Sequence, residues 1–168
     1  MYPLDLPPDA IPIRILVVDD TPANLLAYRE ILERPGWTVI TVGNGGEALQ
    51  EALKSELAVI LLDVRMPGMS GLELAQILRS RDRLKFTPIN FMSAHDRMPS
   101  VVAHGYLAGG IDYLFSPVDA DLLKYKVNAC AELYSRNAAL RQELAALRSA
   151  NDQLKLNLLK IHQSRRIG

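Results

Sequence analysis

The chain has 168 residues, 49% of them apolar, enough for one domain with its own core plus an appendage. Lys+Arg and Asp+Glu balance at 19 each, so no bulk attraction to nucleic acid or to a membrane surface is expected. One cysteine, Cys130, excludes an internal disulfide framework and fits a reducing cytoplasm, and no apolar run is long enough for a membrane-spanning helix.

Residues 1–12 carry prolines and acids but no basic stretch, and are expected to form a flexible leader, not a secretory signal. From there, strand-like and helix-like runs alternate. A strand over Ile13–Val18 precedes a helix over Pro22–Glu33, with Thr21 as candidate N-cap, Pro22 in the first turn and Gly36 at the C-terminal end. A strand over Thr38–Val42 leads through Gly43-Asn44-Gly45-Gly46 into a helix over Gly46–Lys54. That glycine-rich turn lacks the lysine-hydroxyl pair of a Walker loop. Next come a strand over Ala58–Leu62, a helix over Leu72–Arg81, a strand over Ile89–Met92, a helix over Ser100–Ala108 closed by Gly109-Gly110, and a strand over Ile111–Phe115. Such alternation predicts a doubly wound parallel α/β sheet, and right-handed crossovers favour the flavodoxin-like order 2-1-3-4-5.

The last helix does not stop. No proline or glycine interrupts it from Ala120 to Ile161. Leu123, Cys130, Asn137, Leu144, Asn151 and Leu158 share one heptad position; Lys126, Leu133, Leu140, Leu147, Leu154 and Ile161 share the other. This is a coiled-coil seam, and asparagines at its a-type position suit a parallel dimer. Glu143 and Arg148 would pair across such a dimer, whereas Arg136 and Arg141 would oppose each other. A single long helix folded back on its own domain is the alternative. The final residues, 164–168, are expected to be a frayed tail.

The chemistry concentrates in acids that follow apolar runs. Ile15-Leu16-Val17-Val18 leads into Asp19-Asp20, and Val59-Ile60-Leu61-Leu62 leads into Asp63. Neighbouring parallel strands would bring these carboxylates together at one end. Crowded carboxylates raise each other's pKa unless a cation sits among them, so the cluster implies a bound hard cation, with Mg²⁺ the expected one. His95, His104 and His162 have no metal-ligand spacing.

Asp19-Asp20, Asp63-Val64-Arg65-Met66-Pro67-Gly68-Met69-Ser70-Gly71, Ser93-Ala94 and Asp112-Tyr113-Leu114-Phe115-Ser116-Pro117 together resemble the receiver domain of bacterial two-component response regulators. The resemblance spans roughly residues 14–133. It implies a receiver over 13–133, with 134–163 as coiled-coil extension. It implies that Asp63 accepts a phosphoryl group from a histidine kinase or phosphotransfer protein. Asp20, Asp63 and the backbone carbonyl of Arg65 would bind Mg²⁺, with Asp19 acting through water or by orienting its neighbour. Ser93 would hydrogen-bond the phosphoryl group, and Tyr113 would be the aromatic that changes rotamer with it. One position departs. Before Pro117 the family ordinarily has lysine, and here stands Ser116, with Lys85, Lys124 and Lys126 all misplaced to substitute.

Two readings follow. The first is a non-enzymatic, cytoplasmic phosphoacceptor that relays its signal through a dimeric coiled coil. The second is a degenerate receiver, a docking or dimerisation module that never uses phosphate, or the regulatory front of a larger signalling enzyme.

Overall fold

The computed structural model of the protein describes residues 11–93 and 99–164. Expectations for the leader, for Ala94 and His95, and for the tail beyond Ser164 lie outside the described residues. Ten elements alternate: β1 (Ile13–Val18), α1 (Pro22–Leu32), β2 (Trp37–Val42), α2 (Gly45–Lys54), β3 (Val59–Asp63), α3 (Gly71–Arg79), β4 (Ile89–Ser93), α4 (Pro99–Leu107), β5 (Asp112–Phe115) and α5 (Ala120–Ser164). The strands form one parallel sheet in the order β2-β1-β3-β4-β5. The flavodoxin-like order expected from the alternation is therefore present. Boundaries differ from the sequence reading by a residue or two.

The strands are apolar on both faces, as a parallel sheet covered by helices requires. Leu16, Val18, Ile60, Leu62 and Phe91 pack on one face with Ala48 and Ala52 of α2, Leu74 and Leu78 of α3, and Ala108 just after α4. Side chains alternate along a strand, so Ile15, Val17 and Leu61 are buried on the opposite face. Tyr28 and Leu32 of α1 and Leu123 and Val127 of α5 are also buried outside the first cluster.

Local chemistry sets the helix starts. Ser70 and Glu73 form a capping box at α3: the Ser70 hydroxyl accepts from the Glu73 amide, and the Glu73 carboxylate accepts from the Ser70 amide at 2.8 Å. Asn44 caps α2 by accepting from the Glu47 amide at 2.9 Å. Thr21 departs from expectation. Its hydroxyl makes no cap bond. Its backbone amide donates to Asp19 instead, so the start of α1 is organised around that carboxylate.

Arg79 at the end of α3 donates to the carbonyls of Leu84, Lys85, Thr87 and Gly109. One guanidinium thus ties α3 to the approach to β4 and to the turn after α4, with the planar fork that such a site suits.

The chain divides into two compact units, the first ending at Glu132 and the second beginning at Leu133. Leu123 and Cys130, expected on the seam, are buried in the core of the first unit. Lys126 is ion-paired with Asp112. These positions are engaged within the first unit, so the exposed apolar positions of the repeat start at Leu133. In the second unit Leu133, Leu140, Leu144, Leu147, Leu154, Leu158 and Ile161 all lie exposed along the helix. No helix among the described residues is long and apolar enough to cross a membrane.

Candidate functional site

β1 and β3 are parallel neighbours in level register, Val18 opposite Leu62. Their C-terminal ends therefore deliver Asp19, Asp20 and Asp63 to one place. Each offers a carboxylate oxygen, and these oxygens lie within 4.8 Å of one another. The three expected acids are brought together, with Asp19 buried, Asp63 half-buried and Asp20 exposed.

Their electrostatics are strained. Burial pushes the Asp63 carboxyl up to about 6; the Asp19 charge adds to this, the Arg65 amide opposes it, the Asp20 charge adds again and the Val64 amide opposes. Asp19 is also raised, chiefly by burial, with hydrogen bonds from Thr21 and Asn24 opposing. Only oxygen donors converge here, which is the donor set of a hard divalent cation, and a cation would relieve the mutual repulsion. The residues present fit Mg²⁺.

Asp19 is held on two sides. The Thr21 amide donates to Oδ1 at 2.8 Å. The Asn24 side-chain amide donates to both oxygens, at 3.2 and 3.0 Å. Asn24 was not among the expected site residues. Its signal, an amide in the first turn of α1, is visible only once Asp19 is known to face that helix.

Glycine shapes the opposite wall. A β-carbon on Gly71 would stand 2.1 Å from the Asp63 carbonyl oxygen. Only a residue without side chain lets α3 start this close to the acid. Arg65, two residues beyond Asp63, is exposed.

Ser93 ends β4 and is buried. Its carbonyl accepts from the Ser116 amide at 2.9 Å, which joins the ends of β4 and β5. Tyr113 in β5 turns into the first core, with Phe91 at 5.3 Å, Tyr106 at 5.9 Å and Phe115 at 5.8 Å between ring centres. Its hydroxyl lies against Gly105 of α4.

Ser116 is half-buried, and its neighbour is a second residue missed from the sequence. Tyr28 of α1 is buried, with Ser116 as a hydrogen-bonding partner of its hydroxyl and the charges of Asp19 and Asp63 close enough to act on it. Burial, foremost, and then those charges push the phenol pKa up, while Ser116 opposes. Lysines are occupied elsewhere: Lys85 over the Phe86 ring, Lys124 with Asp121 at 3.6 Å, Lys126 with Asp112.

A family model described as the response regulator receiver domain matches residues 15–128. Protein PilH of Pseudomonas aeruginosa is 32% identical over 116 residues, 69% of this chain and 95% of PilH. The probable transcriptional regulatory protein TcrX of Mycobacterium tuberculosis is 33% identical over 121 residues, 72% of this chain and 50% of TcrX. The chain spans about half the length of the transcriptional regulators it matches. Among solved structures, chemotaxis protein CheY4 of Vibrio cholerae is similar with a TM-score of 0.67 at 29% identity, covering 71% of this chain and 99% of that one. The matched stretch holds the whole sheet and its acidic end, and the chain belongs to the response regulator receiver domains of two-component systems.

Proposed function

We propose that the chain is a phosphoacceptor: Asp63 takes a phosphoryl group from a histidine kinase or phosphotransfer protein, and the signal passes to a parallel coiled-coil dimer. The observation that carries this reading is the convergence of Asp19, Asp20 and Asp63 at the ends of β1 and β3. A carboxylate oxygen of Asp63 attacks phosphorus; the P–O bond forms as the donor's P–N bond breaks, and the leaving imidazole nitrogen keeps the electron pair. Asp20, Asp63 and the Arg65 carbonyl would hold Mg²⁺, which neutralises charge on the transferring group. Asp19, its oxygens engaged by Thr21 and Asn24, orients the pocket. Ser93 donates to the phosphoryl group once it has arrived, and Tyr113 is the aromatic whose position follows. The chain is no enzyme beyond assisting its own labelling and hydrolysis.

The receiver would comprise 13–133 and the coiled coil 134–163, pairing through Leu133, Leu140, Leu144, Leu147, Leu154, Leu158 and Ile161. The setting would be cytoplasmic, with neither nucleic acid nor membrane as partner.

Ser116 favours one rival, a receiver that docks without phosphate. A small-molecule phosphodonor with Mg²⁺ decides between them. The expected result is one added phosphoryl mass on the intact protein, abolished in Asp63→Asn. Absence of labelling, with Mg²⁺ bound normally, would favour the docking module.

A further inference from the structure

The end of α1, the turn into β2 and two residues of α5 line a cavity of about 350 Å³ that shares no residue with the acidic site. Its size falls within the range of small-ligand sites. Its polar groups are Glu30, Glu33, Arg34, Lys124 and Asn128, and its ring is Trp37. All six lie in the first compact unit. Glu30 and Glu33 are one helical turn apart, as are Lys124 and Asn128, so each pair shares one side of its segment.

The cations of this cavity are already engaged. The Arg34 guanidinium carbon sits 3.4 Å from the Trp37 ring centre, a cation–π contact. The Lys124 ammonium is 3.6 Å from the Asp121 carboxylate. The acceptors are in the opposite condition. Among the described residues the Glu30 and Glu33 carboxylates have no ion pair or side-chain hydrogen bond. Asn128 Oδ1 is shielded from solvent and has no partner. A shielded acceptor in that state costs free energy until a donor reaches it.

We propose that this cavity binds a small organic cation, an amine or guanidine on a short apolar stem. Its N–H groups donate to Glu30, Glu33 and Asn128, with charge-assisted bonds at the two carboxylates. Its stem lies against Trp37. An anion would meet two unmatched carboxylates and two cations that are taken, so the balance of unmatched groups selects the positive ligand. Bound there, the cation joins α1 to α5 one turn before the first unit ends at Glu132. It stabilises that junction by mass action, whether or not Asp63 carries a phosphoryl group.

Trp37 is the single tryptophan of the chain, so its fluorescence reports from the cavity wall. The probe is agmatine, a guanidinium and an ammonium on a short stem, added to the full chain. The expected result is a saturable change in Trp37 emission with a dissociation constant of about 1 mM or below. Glu30→Gln combined with Glu33→Gln should weaken binding about tenfold or more, as for lost hydrogen bonds to charged groups. Both glutamates are exposed, so this variant should keep the wild-type thermal midpoint. Should it not fold, Glu30→Gln alone takes its place. Sodium chloride at matched ionic strength and sodium acetate should leave the emission unchanged. Undiminished binding by the variant, or the same shift from either salt, overturns the inference. Should agmatine leave the emission unmoved, the Asn128 side-chain amide decides by NMR. A saturable shift supports the site, and an unmoved resonance overturns it.

Discussion

A β-carbon on Gly105 would lie 1.8 Å from the Tyr113 hydroxyl oxygen and 2.5 Å from Cζ of its ring. The bare backbone of α4 is therefore the seat of the Tyr113 phenol. Gly105→Ala should expel the ring to solvent. Exposing an aromatic of this size costs ~1.5–3 kcal/mol, against a gain of about 1 kcal/mol for alanine over glycine within a helix. The net outcome is a loss of about 0.5–2 kcal/mol with altered tyrosine near-UV circular dichroism. In a Tyr113→Ala background the same substitution should stabilise. Stabilisation in both backgrounds would show that the ring does not depend on Gly105.

Asp63 should give the metal-free protein an acid-side optimum. Its folded pKa of about 6 exceeds the ordinary aspartate value of 3.8, so between these values the folded state holds more protons than the unfolded one. Its contribution to stability is thus present at low pH and is lost as pH rises through 6. Mg²⁺ competes with that proton. Affinity should climb by up to about tenfold per pH unit below 6 and level off above it. Calorimetric titrations on both sides of pH 6 read this directly, and a flat profile would remove Asp63 from the metal site. Asp20→Asn should weaken binding at every pH.

Asn24→Ala should leave Asp19 without the bond that fixes both its oxygens. Partners behind a metal site typically contribute 10-fold or more to affinity, so about a tenfold loss for Mg²⁺ is expected. The thermal midpoint in the presence of chelator should hardly move. Unchanged Mg²⁺ affinity would mean that the Thr21 amide suffices to orient Asp19.

Truncation after Leu133 should abolish or greatly weaken dimerisation, measured by light scattering. Asn151→Leu in the full chain should raise coil stability while admitting other oligomers, since asparagine at an a position fixes register at a stability cost. A truncated chain as dimeric as the full one would move the contact to the receiver.

Local pattern carried much of this architecture. Runs such as Val59–Leu62 are apolar throughout and end in acids, so strand, layer and pocket could be read together. What could not be read depends on elements distant in sequence. Tyr28 and Asn24 look like ordinary α1 residues until β5 and β1 present Ser116 and Asp19 to them. Arg79 looks like a solvated helix-end cation until four carbonyls surround it. Thr21 looks like a cap until the Asp19 carboxylate takes its amide. The heptad repeat misled at its start for the same reason: periodicity cannot say whether Leu123 and Cys130 face a sheet or a partner helix.

The exposed seam from Leu133 onward has a consequence for dilution. Among the described residues its leucines lie exposed, and an isolated helix gains little in water from propensity alone. Its order is then a function of how many copies are nearby. Lowering protein concentration should bleed far-ultraviolet helix signal from this segment while the sheet unit keeps its melting behaviour, so one chain would carry two stabilities, one of them set by mass action.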